Sequence, residues 1–171
     1  RKIQPCRFAG FHTVDHGDRS NNTGFRNREG FFIIATDTAS GSLYRHGIVP
    51  DAIVCVDPQQ VSSEHFYPVP HTQEGRKSPL VFLDLCTAPA NIRLLKDRGI
   101  RFQLFHSGHP LSILATATCG LMQVETGSGT VTIAAADIAR QLGFSRIRFF
   151  GADFAYSAGK PYAKGSYLDA R

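Results

Sequence analysis

No apolar run in this chain approaches the about 20 residues a membrane span requires, so a soluble protein without a membrane-spanning helix is expected. No secretory leader is read in the sequence, and a cytoplasmic protein is expected. The four cysteines, Cys6, Cys55, Cys86 and Cys119, make no Cys-x-x-Cys pair and lie in or near apolar segments. They read as small buried hydrophobes in a reducing compartment rather than as a metal knuckle or a disulfide framework. The formal charge is +5, yet the basic residues are scattered and no Lys/Arg-rich stretch occurs. Nucleic-acid binding is therefore not expected, whereas an anionic ligand such as a nucleotide is compatible with the charge. The GK[ST] of a Walker loop is missing, as are internal repeats and low-complexity tracts.

What is present suits one α/β domain. A chain of 171 residues with 42% hydrophobic residues can bury a real core. Residues 1–30 read as irregular, with Pro5, several glycines and no sustained period of 2 or 3.6. The remainder, 31–171, alternates. Strands are expected at 31–36, 52–56, 80–85, 100–105 and 146–150, and helices at 38–46, 89–98 and 131–142. Gly99 and Gly143 stand where the last two helices should stop. Residues 58–78 read as a long polar loop and 111–125 as a less regular stretch. Strands alternating with short helices imply a mainly parallel, doubly wound, Rossmann-like sheet covered on both faces. The chain lacks an initial Met and ends at Arg171 just beyond a candidate loop, so it reads as a fragment of a longer polypeptide.

Parallel sheets place ligands beyond the carboxyl ends of their strands, which selects the candidate site residues. Asp37 and Thr38 follow the strand at 31–36; Asp37 is either a helix N-cap or a contact to a nucleotide's base or ribose. Asp57 follows the strand at 52–56, where a carboxylate either closes an Asx turn or binds Mg²⁺ or a sugar hydroxyl. Ser107 and Gly108 lie in the loop after the strand at 100–105, within His106-x-x-His109. That histidine pair suits a hydrogen-bonded loop better than a zinc site, since no third ligand stands nearby. Gly127-Ser128-Gly129-Thr130 opens the helix at 131–142 and is either a tight turn with a cap or an anion site built from helix amides. Asp153, Tyr156 and Tyr162 follow the strand at 146–150 and form the strongest catalytic cluster: a carboxylate beside flat rings and hydroxyls. No metal ligand set is assigned.

Two segments carry a family resemblance. One is the run from Gly127 to Tyr167, with its Ser/Gly turn, Ala-rich helix, Leu142-Gly143, Gly151-Ala152-Asp153-Phe154 and later tyrosines. The other holds His46-Gly47-Ile48-Val49-Pro50-Asp51 and Val56-Asp57-Pro58. Together they resemble the motility-associated (Maf) flagellin glycosyltransferases. That group is similar to the archaeal 6-hydroxymethylpterin diphosphokinase and to bacterial sialyltransferase-like domains. The resemblance implies a cytoplasmic transferase that moves a sugar, a nonulosonic acid from a CMP-linked donor, onto protein hydroxyls such as those of flagellin. It implies that Asp153 and the tyrosines line the donor pocket, with hydroxyls steadying the leaving phosphate, and that His109 borders it. The alternatives are ATP- and Mg²⁺-dependent diphosphoryl transfer to a pterin alcohol, with Asp57 and Asp153 as metal ligands, and a noncatalytic nucleotide-binding or flagellar-assembly module. Two departures stand out: residues 1–30 carry no GxGPSL-type phosphate loop, and the downstream histidine base of the sialyltransferases falls beyond Arg171.

Overall fold

The computed structural model describes residues 11–15 as backbone, and 31–71, 78–127 and 129–152 in full. In chain order these form β1 (Phe11–Asp15), β2 (Phe31–Thr36), α1 (Asp37–Arg45), β3 (Ala52–Cys55), a 3-10 helix (Gln60–Phe66) and β4 (Leu80–Asp84). They continue with α2 (Pro89–Asp97), β5 (Phe102–His106), α3 (Pro110–Cys119), β6 (Met122–Gln123), α4 (Val131–Gln141) and β7 (Ile147–Phe150). The strands make one sheet in the order β6-β5-β4-β3-β2-β1-β7. From β2 to β6 every neighbouring pair is parallel, giving a five-strand parallel sheet of Rossmann-like α/β type with helices between strands. β1 is antiparallel to both β2 and β7, so β7 runs in the same direction as the other five strands.

The apolar strands alternate their side chains between two cores, as the two-residue period of a strand demands. Ile33, Ala35, Ile53, Cys55, Val81 and Leu83 pack on one face with Leu43 of α1, Phe66 of the 3-10 helix and Leu95 of α2. Ile34, Ala52, Val54, Phe82 and Phe105 pack on the other with Ala134, Ala135, Ile138 and Ala139 of α4. Each large side chain removed from water in this way contributes about 1.5–3 kcal/mol, which is why strands covered on both faces read as near-continuous apolar runs. α2 and α4 end as expected, with Gly99 at φ +66 and Gly143 at φ +92, a backbone region that strains residues with a Cβ. Asp51 staples the opposite, amino edge: its Oδ2 accepts from Ile33 N at 2.7 Å and its carbonyl accepts from Leu80 N at 3.0 Å.

The structure departs from the sequence reading in several places. β1 lies inside the segment read as irregular, and the 3-10 helix interrupts the loop at 58–78. The stretch at 111–125 holds α3 and β6. α3 escapes a periodicity reading because its apolar residues do not form one buried stripe: Leu111 and Leu114 are each 71% exposed, and Ser112 is its buried residue. Cys55 is buried as expected, but Cys86 and Cys119 are exposed; Cys6 lies outside the described residues. Among the described residues no helix is long and apolar enough to cross a membrane.

Candidate functional site

Parallel pairing brings the carboxyl ends of β2 to β6 to one edge of the sheet, and with them Asp37 and Thr38, Asp57, Asp84, and His106 with Ser107 and Gly108. α4 begins at that edge because the chain leaves β6 there and then runs back across the sheet. Gly127, Gly129 and Thr130 therefore share it. Phe150, the last residue of β7, is level with Ala35, since both pair with Phe11. Ser128, Asp153, Tyr156 and Tyr162 lie outside the described residues.

At the ends of β2 and β3 the polar groups are tied together. Asp37 is the first residue of α1, and the N-cap position belongs to Thr36, whose hydroxyl lies 3.2 Å from that of Thr38. The Asp37 side chain is only 4% exposed, and its Oδ1 accepts from Thr38 N at 2.8 Å. Burial pushes its carboxyl above the usual carboxylate range, against the attraction of His65 and hydrogen bonds from the Cys55 thiol and Thr38 N. His65, buried in the 3-10 helix, is held below its ordinary value by the same desolvation, opposed by Asp37, Asp57 and Glu64. Burial, with the nearby Asp37, raises the Cys55 thiol far above its usual value, so this cysteine is an inert core residue.

Asp57 closes the turn that follows β3. Its Oδ1 accepts from Gln59 N at 2.9 Å and its Oδ2 from the Ser62 hydroxyl at 2.6 Å, fastening the start of the 3-10 helix. The Ser40 hydroxyl, with one proton, is shared between the carbonyls of Asp37 at 2.7 Å and His65 at 3.1 Å. Arg98 closes the far end of the same unit: its Nη1 reaches the carbonyls of Phe66, Tyr67 and Val69 at 3.2, 2.9 and 2.9 Å. Its guanidinium carbon also stands 5.3 Å from the Tyr67 ring centroid.

The ends of β4 and β5 are less complete. Asp84 is 2% exposed; its Oδ1 accepts from Cys86 N at 2.8 Å and its carbonyl from Thr87 N at 2.9 Å. Asn91, fully buried on α2, donates from Nδ2 to the Thr87 hydroxyl at 2.8 Å. Asp84 Oδ2, Asn91 Oδ1 and His106 Nδ1 are buried without a hydrogen-bond partner among the described residues. His109 is the N-cap of α3, its Nδ1 accepting from Leu111 N at 3.3 Å, so it serves its own loop. Ser107 is half-buried and Gly108 is exposed at φ +89.

The turn before α4 holds Gly127 at φ +58 and Gly129 at φ +85. A Cβ on Gly127 would stand 2.9 Å from Ile133 Cδ1, whereas one on Gly129 would meet nothing within 4 Å. Thr130 occupies the N-cap position of α4 but its side chain makes no capping hydrogen bond. The helix thus presents first-turn amides and the positive end of its dipole without a side-chain cap. Among the described residues no group of three His, Cys, Asp or Glu side chains is placed to hold a metal ion.

A family model described as 6-hydroxymethylpterin diphosphokinase MptE-like matches residues 25–159, more than half of the chain. The chain belongs to the MptE-like family. The MptE-like domain is also 41% identical, over 101 residues, to an uncharacterized protein of Treponema pallidum (strain Nichols). The matched segment is 58% of this chain and 36% of that relative, so the similarity spans about a third of the relative's length. No solved structure matches. Sequence reasoning did not single out Asp84, Asn91, His65 or Arg98. Asp84 had a usable signal, an acidic residue ending a buried strand as Asp37 and Asp57 follow theirs. Arg98 had none, because its partners lie 29 to 32 positions away.

Proposed function

We propose that this MptE-like domain is a nucleotide-dependent transferase that moves a sugar, a nonulosonic acid from a CMP-linked donor, onto protein hydroxyls such as those of flagellin. The family membership supports a transferase-like domain, and the donor and acceptor follow from the resemblance to the Maf group. In this reading the donor phosphate rests on the amides that open α4, and Asp153, Tyr156 and Tyr162, which follow β7 in the sequence, act on the leaving group.

One observation favours this reading over its rival: each Asp57 oxygen already accepts a hydrogen bond that fastens its own loop, from Gln59 N and from Ser62. Diphosphoryl transfer from ATP depends on Mg²⁺ held beside the phosphates, and Asp57 was the described residue expected to hold it. A single donor phosphate on helix amides makes no such demand. The second reading, diphosphoryl transfer to 6-hydroxymethylpterin, is favoured by the description of the matching family.

Calorimetric titration of the full-length protein with CMP, AMP and ATP, with and without Mg²⁺, separates them. The expected result is CMP binding that is tighter than AMP binding and indifferent to Mg²⁺. Mg²⁺-dependent ATP binding with no response to CMP would replace sugar transfer by diphosphoryl transfer. No response to any nucleotide would leave a noncatalytic module.

A further inference from the structure

Asp84 Oδ2 is a hydrogen-bond acceptor sealed from water at the end of a central strand, and among the described residues nothing donates to it. Its sister atom Oδ1 is already used by Cys86 N. A buried acceptor without a donor disfavours folding, so such an atom at the candidate edge suits a donor that the described residues do not supply, such as a ligand's.

The surroundings of Asp84 say what that donor belongs to. Side chains alternate along β4, and Leu80 and Phe82, four and two positions before Asp84, pack in the core that holds Val131 and Ala134 of α4. Asp84 thus continues the face on which α4 lies, at the edge where α4 begins. There α4 offers first-turn amides with no side-chain cap, preceded by Gly129, beside which space is open. A helix N-terminus suits a phosphate, and a strand-end carboxyl on the same side of the edge suits the hydroxyls of a sugar attached to it. Phosphate oxygens and base carbonyls would not satisfy Oδ2, because they are acceptors themselves.

We propose that Asp84 accepts hydrogen bonds from the ribose hydroxyls of a nucleotide whose phosphate rests on the N-terminus of α4. This rests on the reading that the domain binds a nucleotide, and is independent of the base and of the group transferred. Oδ2 is closed to solvent in the structure, so the ribose has to displace neighbouring atoms to reach it.

The test is calorimetry on the full-length protein with CMP and 2′,3′-dideoxy-CMP, and with ATP and 2′,3′-dideoxy-ATP, for wild type and Asp84→Asn. The variant keeps Oδ1 for Cys86 N and replaces Oδ2 with an amide donor of the same shape. The wild type is expected to prefer the ribonucleotide about tenfold or more, the effect of one or two hydrogen bonds. Asp84→Asn is expected to lose most of that preference while its affinity for the dideoxy nucleotide stays the same. Equal wild-type affinity for the two sugars, or a preference that survives in Asp84→Asn, would overturn the proposal while leaving nucleotide binding in place. Equal affinities with a changed thermal midpoint in the variant would mark Asp84 as the site of a buried water only. Absence of all nucleotide binding would remove this proposal together with the one it rests on.

Discussion

Two stretches of the same sheet edge, one at the ends of β2 and β3 and the other at the ends of β4 and β5, treat their polar residues differently. In the first, Asp57 uses both oxygens, Ser40 ties α1 to the 3-10 helix, and Arg98 closes that helix against α2. In the second, Asp84, Asn91 and His106 each keep a buried atom without a partner among the described residues. Both stretches carry carboxylates at strand ends, the feature that marks a ligand edge in this architecture. The difference teaches that a strand-end acid becomes a ligand candidate through what its oxygens lack, not through its position alone. Asp57 looked the stronger candidate in the sequence, and each of its oxygens accepts a hydrogen bond from its own loop; Asp84 was passed over, and its Oδ2 has no donor among the described residues.

The comparison breaks most visibly at Arg98. Its Nη1 has two protons for three carbonyls, so the bonds are shared, but all three are charge-assisted. Arg98→Ala should lower unfolding stability by about 2–3 kcal/mol in urea titrations, with Arg98→Lys recovering part of it and neither changing nucleotide affinity. A stability loss near zero would mean that the 3-10 helix is not held by this clasp.

Asp57 comes next. Asp57→Ala removes acceptors from Gln59 N and Ser62, and should cost about 1–2 kcal/mol, comparable to loss of a helix cap. CMP affinity should be retained. If the variant folds with full stability but no longer binds nucleotide, Asp57 returns to the site and the contrast between the two stretches is lost.

The parallel sheet was legible because residues buried on both faces must be apolar almost without interruption, as in Ile33-Ile34-Ala35 and Val81-Phe82-Leu83. Helix ends were legible at Gly99 and Gly143, where positive φ selects glycine. β1 was not, since Phe11-His12-Thr13-Val14-Asp15 is short, mixed in polarity and flanked by turn residues. Its antiparallel insertion between β2 and β7 depends on pairings with residues 16 to 24 positions away on one side and over a hundred away on the other. The candidate edge was legible as an edge, because parallel strands deliver their ends together. The partner of each side chain on it was not, since pairs such as Ser40 with His65 and Arg98 with Phe66 are fixed only by tertiary packing.

The smallest expected effect is in the pH dependence of the knitted stretch. Asp37 and His65 are both buried and both shifted towards their neutral forms by desolvation, each opposed by attraction to the other. Asp57 and Glu64 also face His65, while Cys55, Thr38 and Asp57 face Asp37. For Asp37 the folded value is raised, so its contribution to stability is present below the ordinary 3.8 and is lost as pH rises through the folded value. For His65 the folded value is lowered, so its contribution is present above the ordinary 6.5 and is lost as pH falls through the folded value. The two therefore oppose each other on acidification from neutrality, and the wild-type profile should be shallow there. His65→Gln cannot charge and should gain stability relative to wild type as pH falls below 6.5. Asp37→Asn keeps an oxygen for Thr38 N and should gain relative to wild type as pH rises from 3.8 towards neutrality. Urea midpoints of the three proteins across that range check both signs. A relative gain for His65→Gln as pH rises instead would show that the folded protein holds His65 charged, and that Asp37 beside it is an ionised partner rather than a neutral one.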